Sequence, residues 1–329
     1  MKKTLEQLYN FEPLSISDSY KVLEQISKDA FNPAQVSAFI CSYLMRDITV
    51  NELTGFRNAL LDLCIPFKTE YDSIDLCGTG GDSKNTFNIS TISSFIVAGS
   101  GIKVTKHGNY GVSSFCGSSN ILESLGHQFS NNNDLLNKQL DKANICFLHA
   151  PLFHPAMKSV AGIRKQLGMK TFFNLLGPLV NPAQPKNQLI GVFSLKILRV
   201  YQLLHQNSDK NVTLVHTIDG YDEVSLTNSF KLVGSNFEYL HEPEEFNFTT
   251  YNATDISGGN NISDAKTIFL KILNNKATKA QTDVVLANAG IAIANFNNTS
   301  VLEGIEVARK SLQSGKALES LNLLLNTKS

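Results

Sequence analysis

The sequence predicts an α/β protein in two parts: a small N-terminal all-helical domain, and a larger α/β domain whose central sheet is mostly parallel and flanked by helices. Three observations predict it. Up to about residue 65, apolar residues recur at helical spacing. After Pro66 short apolar runs alternate with Gly-rich turns and helical stretches, the pattern that builds parallel sheets. A length of 329 residues, 42% of them hydrophobic, gives enough chain for one large domain or two unequal ones.

In the helical part, Asn32-Pro33 reads as an N-cap followed by proline at the first helical position. Val36, Phe39, Ile40, Tyr43 and Leu44 then form one apolar face. Thr49-Val50-Asn51-Glu52 is a capping box, and Leu53, Phe56, Leu60 and Leu63 follow on one side of a helix. Nothing here has catalytic character, so the stretch reads as a packing or dimerisation module. Beyond Pro66, strands are expected at 74–77, 102–105, 189–193 and 212–216, and helices at 91–98 and 118–125. Helices close the chain: Ser300-Val301-Leu302-Glu303 is another capping box, and Gly315 separates the last two.

Composition excludes several classes. Lys plus Arg number 29 and Asp plus Glu 29, a formal net charge of zero, which argues against an extended nucleic-acid footprint. No apolar run suits a signal peptide or a membrane span; the longest, around 284–296 and 321–325, are too short or too polar. The five cysteines, Cys41, Cys64, Cys77, Cys116 and Cys146, are odd in number and lack any CxxC spacing. Neither a disulfide framework nor a zinc site is indicated, and reduced cysteines in the cytoplasm are the expectation.

The chemistry gathers at two strand ends. Gly78-Thr79-Gly80-Gly81-Asp82 follows the first expected strand. Glycines there let the backbone approach a phosphate and turn its N–H groups inward. Asn88-Ile89-Ser90-Thr91 then opens a helix, whose unpaired N–H groups suit an anion. Glycine pairs also occur in ordinary turns, and this spacing is neither a Walker loop nor GxGxxG. Lys106-His107-Gly108-Asn109 is expected just past the 102–105 strand, with Ser113-Ser114 and Gly117-Ser118-Ser119 behind it. Two neighbouring loops with anion-binding equipment suggest a ligand with more than one phosphate.

Read together, GTGGD, TFNIST and KHGN, in this order and at this spacing, resemble the anthranilate phosphoribosyltransferases, of the nucleoside phosphorylase/phosphoribosyltransferase class with a glycine-rich GTGGD loop. The similarity continues through His154-Pro155-Ala156-Met157-Lys158, Arg164-Lys165-Gln166-Leu167-Gly168, residues 171–182 and His216-Thr217-Ile218-Asp219-Gly220-Tyr221-Asp222-Glu223-Val224-Ser225. The resemblance implies transfer of a phosphoribosyl group from phosphoribosyl pyrophosphate (PRPP) to anthranilate in tryptophan biosynthesis. It also implies a cytoplasmic homodimer pairing through a helical domain of residues 1–66 with 158–178, beside an α/β domain of 67–157 with 179–329, and no membrane or nucleic-acid partner. By the same resemblance PRPP is bound by Gly78, Gly81, Asp82, Thr86, Asn88, Ile89, Ser90, Thr91, Lys106, His107, Gly108, Asn109, Tyr110, Gly111, Val112, Ser113, Ser114 and Ser118. Anthranilate falls to Gly78, Asn109 and Arg164, the last because a guanidinium grips a carboxylate in two places. Mg²⁺, two ions per active site, falls to Ser90, Asp222 and Glu223. Without this context an Asp-Glu pair reads as a solvated loop and a lone arginine as a surface charge.

The arylamine lone pair is free at neutral pH, so no general base is required; His107 and His154 are assigned to pocket support. Four departures from the family pattern stand beside the site. Tyr110 takes a commonly basic position, and Cys116-Gly117-Ser118-Ser119-Asn120 replaces an SGSAD-like run. Phe153-His154 replaces a His-His pair, and Tyr221 replaces a smaller aliphatic residue. Two other readings compete: a pyrimidine nucleoside phosphorylase-like enzyme, and a non-catalytic homologue that binds nucleic acid.

Overall fold

The computed structural model describes residues 1–111, 115–206 and 208–328. They form two compact units: Met1–Phe67 with Ala150–Gln184, and Lys68–His149 with Pro185–Ser329. The mid-chain segment of the first unit is thus longer at both ends than the expected 158–178. Backbone bonds account for the extension: Ile65 N donates to Phe153 O at 2.8 Å, and Phe67 N to Pro182 O at 3.3 Å.

The first unit is helical: α1 (Lys2–Tyr9), α2 (Ile16–Ser27), α3 (Pro33–Met45), α4 (Val50–Asp62), α8 (Ala150–Phe153) and α9 (Lys158–Leu167), numbered in chain order. The capping box at Thr49 forms, and the Asn32 N-cap is completed as a capping box by Gln35. Asn32 Oδ1 accepts from Gln35 N at 2.9 Å, and Thr49 Oγ1 accepts from Glu52 N at 3.3 Å. Phe39 and Phe56 are wholly buried. Their rings meet edge-on at 6.0 Å, and Phe172 stacks on Phe56 at 4.8 Å. Burying each of these aromatics contributes about 1.5–3 kcal/mol. Glu52 sits among them with its charge fully engaged. It accepts from Leu14 N (3.0 Å), Tyr43 Oη (3.1 Å), Thr49 N (2.9 Å) and both terminal nitrogens of Arg46.

The second unit carries a seven-stranded sheet in the order β3-β2-β1-β4-β5-β6-β7. Its elements are β1 (Ile74–Gly78), α5 (Ile89–Gly99), β2 (Val104–Gly108), α6 (Ser118–Ser124), α7 (Asn133–Ala143), β3 (Ile145–His149), β4 (Asn187–Gly191), α10 (Leu195–His205), β5 (Asn211–Thr217), β6 (Phe230–Val233), β7 (Glu238–His241), α11 (Ile262–Leu273), α12 (Lys279–Asn297), α13 (Val301–Gln313) and α14 (Lys316–Asn326). Strands β1 to β5 run parallel, and β6 and β7 add antiparallel at one edge. Helix α12 is apolar on all sides from Val284 to Ala294 except at Asn288, and is buried over that length. Such a helix belongs inside a fold, and this one packs against α5, α13, β4 and β5. Among the described residues no helix is long and apolar enough to cross a membrane.

Two strands are displaced from their expected positions. β2 starts at Val104 and takes in Lys106, His107 and Gly108, which were expected in the loop after a strand at 102–105. A strand covered on both faces has no alternation to mark its end, and Lys106 and His107 are buried despite their polarity. β4 likewise begins at Asn187, two residues before the expected 189. Asn187 is buried because its amide donates to Asp72 Oδ1 at 3.1 Å.

Candidate active site

The sheet order reverses between β1 and β4, and in open parallel sheets ligands bind beyond the carboxyl ends of the strands at that reversal. Gly78 and Gly191 pair across those two ends. Neither could carry a side chain. A Cβ at 191 would stand 1.6 Å from the Asp222 carbonyl oxygen, and one at 78 would stand 2.3 Å from Asp222 Oδ2. Asp222 is therefore wedged over the paired strand ends, its carboxylate against the glycine loop. Gly80 N donates to Asp222 Oδ2 at 2.7 Å. The loop reaches this position through left-handed backbone at Gly80 (φ 64°) and Gly81 (φ 83°).

Three acids converge here. Asp82 lies within hydrogen-bond reach of Asp222, and Glu223 follows in sequence. Burial, then the charges of Asp82 and Glu223, push the Asp222 carboxyl well above the usual range. Burial also pushes Glu223 up, to about 7, against the opposing pull of the Lys106 charge and of hydrogen bonds from Ser90. Ser90 N, in the first turn of α5, lies 3.3 Å from Glu223 Oε1. Like charges at this spacing favour a shared proton or a bound cation.

Lys106 is buried in β2, with Nζ donating to Leu76 O at 2.5 Å. It reaches the cluster as an interior charge under the acids rather than as an exposed loop cation. His107, also buried, donates its backbone N–H to Asp75 Oδ1 at 3.2 Å. Asn88 is the N-cap of α5, but its side chain donates to Cys116 O at 2.9 Å instead of capping. That leaves the helix N-terminus to other acceptors. Ile89 and Thr91 are buried in the first turn, and Thr86 bridges to Ser257. Gly108 ends β2, and Asn109 O accepts from Ser119 N at 3.1 Å and from Ser118 Oγ at 3.3 Å. Val112, Ser113 and Ser114 lie outside the described residues.

The chain as a whole resembles known proteins. A family described as glycosyl transferase, a/b domain, matches residues 70–318, and its helical bundle domain matches residues 2–64. The anthranilate phosphoribosyltransferase of Flavobacterium psychrophilum is 54% identical, covering 98% of each chain, and that of Bacteroides thetaiotaomicron is 46% identical, covering 98% of this chain and 97% of its own. The chain belongs to the anthranilate phosphoribosyltransferase family. Among solved structures of this family, the Thermus thermophilus enzyme superposes with a TM-score of 0.91 at 28% identity, covering 98% of each chain. The Saccharomyces cerevisiae enzyme in complex with PRPP and Mg superposes with a TM-score of 0.90 at 26% identity, covering 98% of this chain and 96% of that one. Family membership favours the transferase over the phosphorylase-like and nucleic-acid-binding readings.

The departures from the family pattern each acquire a physical account. Tyr110 meets the His149 ring edge-on at 5.0 Å, with its hydroxyl 3.3 Å from Glu123 Oε1. Asn120 Oδ1 accepts from both Gly111 N (2.9 Å) and Gly117 N (3.0 Å), a task its side-chain oxygen performs as an aspartate would. Tyr221 is buried, and the Lys84 ammonium lies 4.6 Å from its ring centre, which ties the glycine loop to the turn bearing the acids. In the helical unit, Phe153 fills core space and His154 is buried. Burial drops His154 to about 4, so it is a neutral ring at physiological pH. Arg164, on α9, has its guanidinium 5.4 Å from the Phe173 ring centre, and its Nη2 lies 3.4 Å from the neutral acceptor Asn174 Oδ1. Burial lowers its pKa, yet an arginine stays cationic.

Several contributors were not legible as site residues. Gly191 and Thr217 end β4 and β5, and Asn288 lies inside the apolar helix α12. Only Thr217 fell inside a quoted motif. The Gly191 and Asn288 contacts join residues far apart in sequence, which leave no local signature.

Proposed function

We propose that this chain transfers the 5-phosphoribosyl group of PRPP to the amino group of anthranilate, giving N-(5-phosphoribosyl)anthranilate and pyrophosphate, as a step of tryptophan biosynthesis. The observation that carries the reading is the Asp222 wedge. At the sheet reversal it places three carboxylates, glycine-loop amides and the α5 N-terminus together.

Breaking the bond from C1 to pyrophosphate builds positive charge on the ribose and negative charge on the leaving group. The protein's task is to hold the reactants in line and stabilise the departing anion. The amides of Gly78, Gly81 and Asp82 and the α5 turn of Asn88 to Thr91 supply fixed N–H dipoles for the phosphates. Thr86, the 106–114 stretch and Ser118 complete the PRPP set, with Lys106 adding positive potential from below. Gly78, Asn109 and Arg164 take anthranilate, the guanidinium meeting its carboxylate. His107 and His154 support the pocket; a neutral, buried His154 fits that part and not proton transfer.

An oxygen-only donor set with crowded acids fits a hard divalent cation. Asp222, Glu223 and Ser90 would hold magnesium, two ions in this reading. Magnesium supplies neutralisation of phosphate charge. The yeast relative's complex with PRPP and Mg supports magnesium as the metal. The chain is further read as a cytoplasmic homodimer pairing through its helical unit, where Phe11 and Met45 are exposed. Light scattering that gives the mass of one chain would contradict that.

The test is the loss of anthranilate fluorescence on mixing protein, PRPP and Mg²⁺. Consumption that needs all three is expected. No consumption, with neither substrate bound, would overturn the reading.

A further inference from the structure

Asp222 and Glu223 lie on an irregular return between β5 and β6, the kind of backbone that drifts unless something holds it. Three contacts hold it. The Asp222 carbonyl sits over Gly191, with no room for a Cβ beneath it. Thr217 Oγ1, at the end of β5, donates to Glu223 O at 2.6 Å and accepts from Ser225 N at 3.3 Å. Asn288, buried in α12, does the most. Its Oδ1 accepts from Val224 N at 3.1 Å, and its Nδ2 donates to Val224 O at 2.9 Å. One side-chain amide thus satisfies both backbone groups of the residue next to the acid pair, as a neighbouring strand would. Nδ2 also donates to Val284 O at 2.8 Å, one turn back on the same helix, which locks the side chain in place. A buried amide in an otherwise apolar helix is destabilising unless its hydrogen bonds are made, and here they are made to the site.

We infer that Asn288 is a positioning residue for the metal-binding acids, with Thr217 as its partner: together they fix the Val224 and Glu223 peptides so that the Asp222 carboxylate meets the glycine loop and the Glu223 carboxylate meets the first turn of α5. The inference rests on the reading of Asp222 and Glu223 as magnesium ligands. Groups that orient metal ligands change metal affinity about 10–100-fold when removed. Only the metal-dependent part of catalysis should therefore respond.

The test measures the Mg²⁺ concentration for half-maximal rate at saturating PRPP and anthranilate, together with the melting temperature. The variants are Asn288→Leu, Asn288→Asp, Thr217→Val, Asp222→Asn and a control, Leu273→Ala, a wholly buried core residue of α11. Asn288→Leu should raise the half-maximal Mg²⁺ about tenfold or more, with KM for anthranilate changed by less than about twofold. Asn288→Asp keeps an acceptor for Val224 N and loses the donor, and Thr217→Val loses one of the two clamps; both should shift in the same direction by less. Either reads the role if Asn288→Leu does not fold. Leu273→Ala should lower the melting temperature and leave the Mg²⁺ dependence alone. Wild-type Mg²⁺ dependence in the Asn288 and Thr217 variants, beside a response in Asp222→Asn, overturns the positioning role alone. Wild-type Mg²⁺ dependence in Asp222→Asn overturns the metal reading beneath it.

Discussion

Two glutamates, one in each unit, show how burial serves opposite ends. Glu52 and Glu223 each lose water to the surrounding protein, and burial alone would raise the pKa of both. At Glu52 hydrogen bonds from Arg46, Thr49 and Leu14 outweigh it and hold the carboxyl below its usual value. At Glu223 burial wins: with the charge of Asp82 it outweighs the Lys106 charge and the Ser90 hydrogen bonds, and the carboxyl rises to about 7. The helical unit has placed a charge where every lone pair is answered. The α/β unit has buried acids side by side, where Gly80 N, Ser90 and the Lys106 charge offset burial only in part. The first arrangement gives stability; the second is suited to a cation and a phosphate. A buried acid therefore reads as functional when its surroundings oppose its ionisation.

The largest effect belongs to the acids of the α/β unit. Asp222→Asn with Glu223→Gln should lower kcat/KM by about 1,000-fold or more. It should leave the melting temperature in EDTA equal or higher, because it removes repulsion. A variant that keeps its activity, or that melts much earlier, would erase the contrast with Glu52. Glu52→Ala should do the reverse. It strands a buried guanidinium and should destabilise the protein by roughly 3–5 kcal/mol in urea unfolding, while kcat/KM of the folded fraction changes little. A milder loss is expected at Arg164. On the proposed role of Arg164 as the partner of the anthranilate carboxylate, Arg164→Ala should raise KM for anthranilate roughly 10–100-fold while KM for PRPP stays within about twofold; equal changes in both would reject that role.

The smallest effect is a pH slope. Glu223's folded pKa is raised, so between the ordinary carboxylate range and about pH 7 the folded state binds more protons than the unfolded one. Metal-free stability through this group should fall as pH rises across that window, by roughly 1–3 kcal/mol in all. Glu52 is depressed, so its contribution is present above the ordinary carboxylate range and is lost as pH falls through its lower folded value. Melting curves in EDTA from pH 5 to 8, wild type against Glu223→Gln, isolate the first slope. Parallel curves would show that Glu223 carries no such shift.

Much of this was legible locally. Thr49 and Glu52 announce a helix start by themselves, as do Asn32-Pro33 and Ser300 with Glu303, because a capping box is complete within four residues. Gly315 takes the left-handed backbone that a break between helices requires. The GTGGD loop and the acid pair were readable as motifs. What was hidden depends on distance along the chain. The Arg46 and Tyr43 contacts to Glu52 need the helix to fold first. Lys106 looked like a loop cation because a strand buried on both faces gives no alternation to mark its end. Asn288 sits in a run of apolar residues 64 positions from Val224, and nothing in its own neighbourhood points there.

In the proposed reaction Asp222 and Glu223, held over the β1 and β4 ends, let the glycine loop and the α5 N-terminus accept PRPP only with its metal. Calorimetric titration of PRPP, with Mg²⁺ and with EDTA, into wild type and into Asp222→Asn/Glu223→Gln tests it most directly. Binding in the wild type should depend on Mg²⁺, and the double variant should lose most of that dependence. PRPP binding of equal affinity and equal Mg²⁺ dependence in both proteins would contradict it.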